Sequence, residues 1–356
     1  MNEAMLSGVE MREQVGLAER TTLGVGGAAR FFCEVRSEGE IPEGLEWARE
    51  RGMAVFILGG GSNVLISDRG VAGLVMQIGL RGIRYDGSGG VVAAAGESWD
   101  GVVRSAVERG WAGIECLSGI PGTVGATPVQ NVGAYGQEVA SAIESVRAWD
   151  RKERGWVELS GAECGFGYRT SRFNRGGDAG RFVIAAVGYR LQPGGRARLR
   201  YPDLQRRFPG GEAGLGEARA AVLEIRRGKG MLIEPDTAEA HSAGSFFKNP
   251  VLTAAEADAL AARAGAEPPR FTSNGKVKIP AAWLIEQAGF QKGFRQAEGR
   301  VGLSSRHVLA LINADGGSAG EIVRLARQIQ AEVERRLGVR LQAEPVQAGF
   351  EPGEEI

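Results

Sequence analysis

The stretch that decides the fold is Ala54-Val-Phe-Ile-Leu-Gly-Gly-Gly-Ser-Asn-Val-Leu-Ile66. Its first five residues are an apolar run rich in β-formers, which predicts a buried strand. Gly59, Gly60 and Gly61 follow, then Ser62 and Asn63, and Val64-Leu-Ile66 predicts a second strand. A glycine turn that opens a helix would be the dinucleotide fingerprint of a doubly wound sheet. A glycine run between two strands differs. Its consecutive amides can converge on one spot and hold a diphosphate with no positive side chain. The competing reading is a plain glycine turn.

The segment Gly24-Val-Gly-Gly-Ala-Ala29 matches G-x-G-x-x-A but sits in the wrong context. Leu17-Ala-Glu-Arg-Thr-Thr22 before it is no buried strand, and Phe31-Phe-Cys-Glu-Val35 after it predicts a strand, not a helix. A second glycine-dense stretch is more informative: Gly119-Ile-Pro-Gly-Thr-Val-Gly-Ala-Thr-Pro-Val-Gln-Asn-Val-Gly-Ala-Tyr-Gly136. It carries no charge and offers Thr123, Thr127, Gln130 and Asn131 as short polar groups. Such a segment can wrap a large cofactor and hydrogen-bond a ring system. A buried structural loop is the alternative.

These loops draw on an unusual composition. The chain has 356 residues and 56 of them are Gly, so the proportion is far above the ordinary value of roughly 7%. There is no Gly-X-Y period, Pro is only 13, and 43% of residues are apolar, so the chain is globular, not fibrous or low-complexity. Lys plus Arg is 43 and Asp plus Glu is 43, which leaves no global field for nucleic acid or an anionic membrane. An anionic ligand must then be held by local charges or backbone amides. Met1-Asn-Glu-Ala-Met5 lacks a signal-peptide pattern, and runs such as Phe182-Val-Ile-Ala-Ala-Val187 are far shorter than the ~18 residues of a membrane span. A soluble, cytoplasmic protein is expected. Cys33, Cys116 and Cys164 have no CxxC spacing, and His241 and His307 are the two histidines, so no metal centre is expected.

Residues up to about 18 are polar and are expected to be frayed. Trp99 to Arg109 predicts a helix, and so does Ala281-Ala-Trp-Leu-Ile285. Phe182 to Val187 and Val308-Leu-Ala-Leu-Ile312 predict strands. Thr253 with Glu256, and Ser318 with Glu321, have capping-box spacing. Ile322, Leu325, Ile329, Val333 and Leu337 then recur at helical spacing and Gly338 ends the run. Three domains are expected: 14–82, with 341–356 returning to it; 83–222; and 223–340.

Five segments, in order, resemble the UDP-N-acetylenolpyruvoylglucosamine reductase family of peptidoglycan precursor synthesis. They are Thr22-Leu-Gly-Val-Gly-Gly27, Ile57 to Leu65, the 119–136 stretch, Phe166-Gly-Tyr-Arg169 with Ser171, and Ala243-Gly-Ser-Phe-Phe-Lys-Asn-Pro250. The resemblance covers most of the chain. It implies an α+β protein with a two-domain FAD-binding fold of the vanillyl-alcohol-oxidase (PCMH) type, plus a third α+β substrate domain. It also implies the longer form of the enzyme, with a substrate-capping Tyr loop, and Tyr201-Pro-Asp-Leu204 stands where that Tyr would be.

The implied reaction has two halves. NADPH, the co-substrate, reduces non-covalent FAD, and the flavin N5 then gives hydride to C3 of UDP-N-acetylglucosamine enolpyruvate, yielding UDP-N-acetylmuramate. The implied FAD contacts are Gly59 to Asn63, then Gly122, Thr123, Val124, Gly125 and Thr127, then Gln130, Asn131, Gly133, Ala134 and Tyr135. Arg169 would stabilise charge developing on the substrate carboxylate. Ser245 would protonate C2, a feasible task for a hydroxyl facing a basic enolate. Glu344 would assist, although Pro345 follows it and Val346 replaces the family's downstream Arg. Tyr168, Tyr201, Lys229, Lys248 and Asn249 would bind substrate. A monomer is expected, with no nucleic-acid or membrane partner. Two other readings remain open from sequence. One is a flavin oxidase of the same fold; such enzymes often tether FAD through His or Cys, but neither His lies in a proposed flavin loop and Cys116 lies only just ahead of one. The other is a non-catalytic nucleotide-sugar binder.

Overall fold

The apolar runs become sheet strands, and glycines set how closely their backbones approach. The computed structural model describes residues 8–234, 237, 239–273, 275–296 and 299–356. The chain divides into two units. The first comprises Met1–Val15, Ala29–Gly61 and Ala72–Arg227; the second comprises Gly16–Ala28, Ser62–Val71 and Gly228–Ile356.

The first unit holds a four-stranded sheet in the order Arg12–Gly16, Ala28–Val35, Val71–Ile78, Val55–Leu58. The strand that feeds the glycine run is parallel to its neighbour, with Val55 opposite Leu74. The helix Glu40–Glu50 buries Ile41, Trp47 and Ala48. A five-stranded antiparallel sheet follows: Gly155–Ser160, Ile143–Asp150, Phe182–Arg190, Gly90–Ala94, Ile83–Tyr85. The helix Trp99–Glu108 is capped by the Ser98 side chain, which accepts from the Gly101 N–H. Trp99 and Tyr189 are fully buried with ring centroids 5.7 Å apart. Sealing two large aromatic rings from water is among the strongest apolar contributions a core can make.

The polar start of the chain departs from expectation. Residues 1–7 lie outside the described residues, but Arg12–Gly16 is a strand, not a frayed end. It is the edge of its sheet and keeps polar residues on its open face, so its sequence shows no apolar alternation. The Arg12 guanidinium covers the buried Phe32 ring, 4.8 Å from its centroid. The G-x-G-x-x-A match leads into the strand Ala28–Val35, as its context required.

In the second unit Ser242–Ser245, Ala310–Asn313 and Val301–Leu303 form one antiparallel sheet. Val251–Leu252, Lys276–Lys278 and Phe271–Ser273 form another. Both capping boxes are made, Thr253 with Glu256 and Ser318 with Glu321. Gly338 ends the helix Ala319–Leu337 in the left-handed conformation, φ 70°. Ile322, Leu325, Ile329, Val333 and Leu337 are its buried stripe.

One junction organises this unit. Val64–Ile66 pairs in parallel with Val346–Ala348. Just beyond it, the Gly27 N–H donates to the Ser67 carbonyl and the Ser67 N–H to the Ala348 carbonyl, both at 2.9 Å. Backbones here leave no room for a Cβ. One at Gly70 would lie 1.9 Å from the Ala28 oxygen, and one at Gly349 would lie 1.9 Å from the Gly70 oxygen. The neighbouring Asp68 carboxylate accepts from the Ala319 and Gly320 N–H groups, each at 2.8 Å, at the N-terminus of the longest helix. A carboxylate there satisfies two orphan donors and complements the helix dipole.

Gly70→Ala is therefore expected to destabilise the protein by roughly 2–4 kcal/mol, through its φ of 76° and the clash. The control is Gly216→Ala, inside the helix Leu215–Gly228, where a Cβ meets nothing within 4 Å. The control should be neutral or slightly stabilising. Urea midpoints measure both, and equal midpoints would refute the close-approach argument.

Candidate functional site

The glycine run that follows Val55–Leu58 packs against the second glycine-dense stretch. A Cβ on Gly60 would come 2.9 Å from the Gly122 Cα, and one on Gly59 would come 2.9 Å from the Thr123 Oγ1. Two chain segments thus meet backbone to backbone, which only glycine permits. Gly122 has φ 111° and Gly61 φ 64°. Thr123 Oγ1 is buried and has no hydrogen-bond partner among the described residues. Buried hydroxyls are nearly always paired, so this one marks a place for a ligand atom. Val124 is fully buried, and the N–H groups of Val124 and Gly125 donate to the carbonyls of Glu97 and Ala95, both at 2.9 Å. Close backbone, an uncharged lining and one unsatisfied hydroxyl fit a large, phosphate-bearing cofactor such as FAD.

Other residues of the same stretch are committed internally. Thr127 Oγ1 donates to the Val124 carbonyl at 2.8 Å and lies 3.1 Å from the Tyr189 hydroxyl. Asn131, with φ 46°, donates through Nδ2 to the Gly167 carbonyl at 3.1 Å and to Glu138 Oε2 at 3.0 Å. Its Oδ1 accepts the Ala140 N–H at 3.1 Å. Asn131 therefore ties the loop to the Gly167–Thr170 turn, where Arg169 sits. Gln130 and Ala134 are half-buried on this loop, and Tyr135 is buried with φ 49°.

Arg169 also takes a left-handed backbone, φ 52°, which costs a non-glycine residue free energy and is typical of functional positions. Its guanidinium donates to the Gly133 carbonyl at 2.8 Å and lies 5.6 Å from the Tyr168 ring centroid. A planar cation is thus fixed against the second glycine stretch. Tyr201 packs edge-on to Tyr135, centroids 5.3 Å apart, so the Tyr loop reaches the same stretch.

Ser245 and Glu344 come together in the second unit. The Glu344 N–H donates to the Phe246 carbonyl at 2.8 Å, and Phe247 bridges Ala343 antiparallel. Glu344 is therefore held beside the residue that follows Ser245. Asn63 Nδ2 donates to the Glu344 carbonyl at 3.3 Å and the Asn63 carbonyl accepts the Val346 N–H at 2.9 Å. Thr22 Oγ1 donates to the Ser242 carbonyl at 2.6 Å and reaches the Ser62 carbonyl at 3.4 Å. Ser245 lies at a bulge: register slips between Ser242 and Ser245, and Gly244 has φ 69°. A bulge re-aims a side chain, which distinguishes this serine from a simple turn residue. The Lys248 N–H donates to the Gln342 carbonyl at 2.9 Å. Asn249 Oδ1 accepts the Ala281 N–H at 2.8 Å, capping the next helix.

Sequence reading missed two groups. His307 is one: its pKa is pushed down to about 4 by burial and by Lys229 and Lys292. Its Nδ1 accepts the Leu309 N–H at 3.2 Å, and the ring is neutral near pH 7. Only folding reveals that neighbourhood. Arg226 is the other, buried with its Nε donating to the Gly119 carbonyl at 3.1 Å. The signal was available: Arg219 and Arg226 are seven apart and share a helix face. Cys116 is fully buried, and its thiol is pushed up to about 12 by burial and the adjacent Glu115, which makes it inert as a flavin tether.

Comparison with known proteins agrees. A family model described as UDP-N-acetylenolpyruvoylglucosamine reductase, C-terminal domain, matches residues 236–348, and one described as FAD binding domain matches residues 29–156. The UDP-N-acetylenolpyruvoylglucosamine reductase of Streptomyces avermitilis is 42% identical over 347 residues, covering 94% of each chain. That of Streptomyces coelicolor is 43% identical over 357 residues, covering 97% of this chain and 92% of its own. The crystal structure of UDP-N-acetylenolpyruvylglucosamine reductase from Thermus caldophilus matches with a TM-score of 0.64 at 27% identity, over 96% of this chain and 98% of that one. The fold is the α+β, FAD-binding fold of vanillyl-alcohol-oxidase type. With identity of this level running almost end to end, the chain belongs to the UDP-N-acetylenolpyruvoylglucosamine reductase family.

Proposed function

We propose that the protein reduces UDP-N-acetylglucosamine enolpyruvate to UDP-N-acetylmuramate, in the cytoplasm and as a monomer, with NADPH as reductant. FAD, when bound, would supply the hydride chemistry that links NADPH to C3 of the enolpyruvyl group. Gly59 to Gly61, Gly122 and Thr123 would hold the cofactor through backbone amides and the Thr123 hydroxyl. The segments 14–82 and 83–222 form its receptor, and 223–340 forms the substrate domain.

Arg169 grips the enolpyruvyl carboxylate with its planar fork and stabilises the charge that grows there as C3 is attacked. Ser245 donates its hydroxyl proton to C2. Glu344 holds that hydroxyl in line and supports its recharging from solvent. Lys229, Lys248, Tyr168 and Tyr201 hold the nucleotide end, and the neutral His307 adds an N–H donor beside Lys229. The observation that carries the reading is the backbone pairing of Glu344 to Phe246, next to Ser245. A flavin fold alone supplies no such acid pair. It favours the reductase over an oxidase of the same fold, and the inert Cys116 removes the thiol tether.

The purified protein should be yellow, bleach with NADPH, and regain its flavin band when the enolpyruvyl nucleotide is added. A folded, colourless preparation that stays inactive with FAD would end this reading. In Ser245→Ala, flavin reduction by NADPH should keep its rate while reoxidation by substrate slows by about 10²–10⁴-fold. Stopped-flow traces of the two half-reactions separate these effects. Equal slowing of both would refute the proton-donor role.

A further inference from the structure

One helix, Leu215–Gly228, fastens the second glycine stretch at two points. Arg219 grips Asp100 with two parallel bonds of 2.6 and 2.8 Å. Asp100 Oδ1 in turn accepts the Gly119 N–H at 2.6 Å. Arg226, on the same helix face, donates from Nε to the Gly119 carbonyl at 3.1 Å. Its guanidinium also hydrogen-bonds the Tyr135 side chain. The Gly119 carbonyl is thus held directly by this helix, and its N–H by Asp100 of the helix Trp99–Glu108, which Arg219 grips. A single guanidinium joins the first residue of the stretch to Tyr135, almost at its far end.

The burial of Arg226 needs a reason. It is 7% exposed, and a guanidinium out of water is costly unless its N–H groups are satisfied. An arginine on a solvated face pays no such penalty. Tyr135 has φ 49°, an unfavourable backbone for a bulky residue, and persists only if its surroundings hold it. The Arg226 bond and the edge-on Tyr201 ring supply that restraint.

We infer that Arg226, with the Arg219–Asp100 pair as a second anchor, is a positioning residue that keeps the 119–136 stretch in its cofactor-binding shape independently of the cofactor. This rests on the FAD reading above. A preformed loop loses less freedom on binding, and the gain falls mainly on the release rate.

The test uses the holoenzyme. Arg226→Met keeps volume and removes the fork; Arg226→Lys keeps the charge but cannot join Gly119 and Tyr135 together. FAD release is followed after dilution as the rise of free-flavin fluorescence, and backbone amide exchange is mapped along the chain. Release should be about tenfold faster in Arg226→Met and intermediate in Arg226→Lys. Amide exchange should quicken within 119–136 while residues 228–356 keep wild-type protection. Wild-type release with unchanged loop exchange would overturn the inference. So would faster release accompanied by faster exchange throughout, because that marks general destabilisation. If Arg226→Met fails to fold, Asp100→Asn loosens the other anchor and is read by the same two measurements. Failure of the FAD reading is distinct, since the wild-type protein would then hold no flavin to release.

Discussion

The second unit depends on a packing constraint: three remote pieces of backbone meet at Gly27, Gly70 and Gly349 with no space for a side chain. A Cβ at Gly27 would sit 2.2 Å from the Asp68 oxygen, as untenable as those at Gly70 and Gly349. The ten residues Ser62–Val71 are the middle piece. At one end they continue the glycine run through Ser62 and Asn63. At the other, Asp68 caps the helix Ala319–Leu337. Whatever fixes this piece also fixes the scaffold of the Ser245 sheet. Parallel pairing of Val64–Ile66 with Val346–Ala348 requires a long crossover, here most of the chain.

That constraint gives the glycine content a physical meaning. Some of the 56 glycines sit at close approaches, Gly59 and Gly60 against the second glycine stretch among them. The balanced charge then follows, because amides and helix termini hold anions without a net basic surface. Two arginines that anchor the second glycine stretch are not long-range attractors. Arg219 is tied to a carboxylate and Arg226 to a backbone carbonyl, so their charge acts on geometry at short range.

Local patterns in the sequence were enough to read the strand–glycine–strand unit, both capping boxes and the apolar stripe ending at Gly338. Each of these is decided within a few residues by periodicity, side-chain capping or positive φ. What escaped was decided by partners far away. Arg12–Gly16 is a strand because Ala28–Val35 offers it an edge, not because of its own composition. The low pKa of His307 comes from Lys229 and Lys292, whose proximity no spacing predicts. Asn131 reads as a ligand group, yet its amide is spent joining Gly167, Glu138 and Ala140. A polar side chain in a glycine-rich loop can serve the loop as readily as the ligand.

The same logic bears on Ser245. A serine hydroxyl is a weak acid, so the donor role proposed for it would rest on orientation, not on pKa. Orientation is what its surroundings supply. The bulge between Ser242 and Ser245 rotates the strand, and Gly244 takes the backbone angle that this needs. Phe246 and Phe247 lock the following residues into the core. The Glu344 N–H closes onto Phe246, and Asn63 grips the Glu344 carbonyl. Pro345, buried directly after Glu344, fixes the chain where an unrestrained residue would let the carboxylate wander. The departure from the family pattern at this position is therefore compatible with a firmly placed glutamate. In the proposed role a donor this poor works only if it is held still, and these backbone contacts hold the chain on both sides of Ser245.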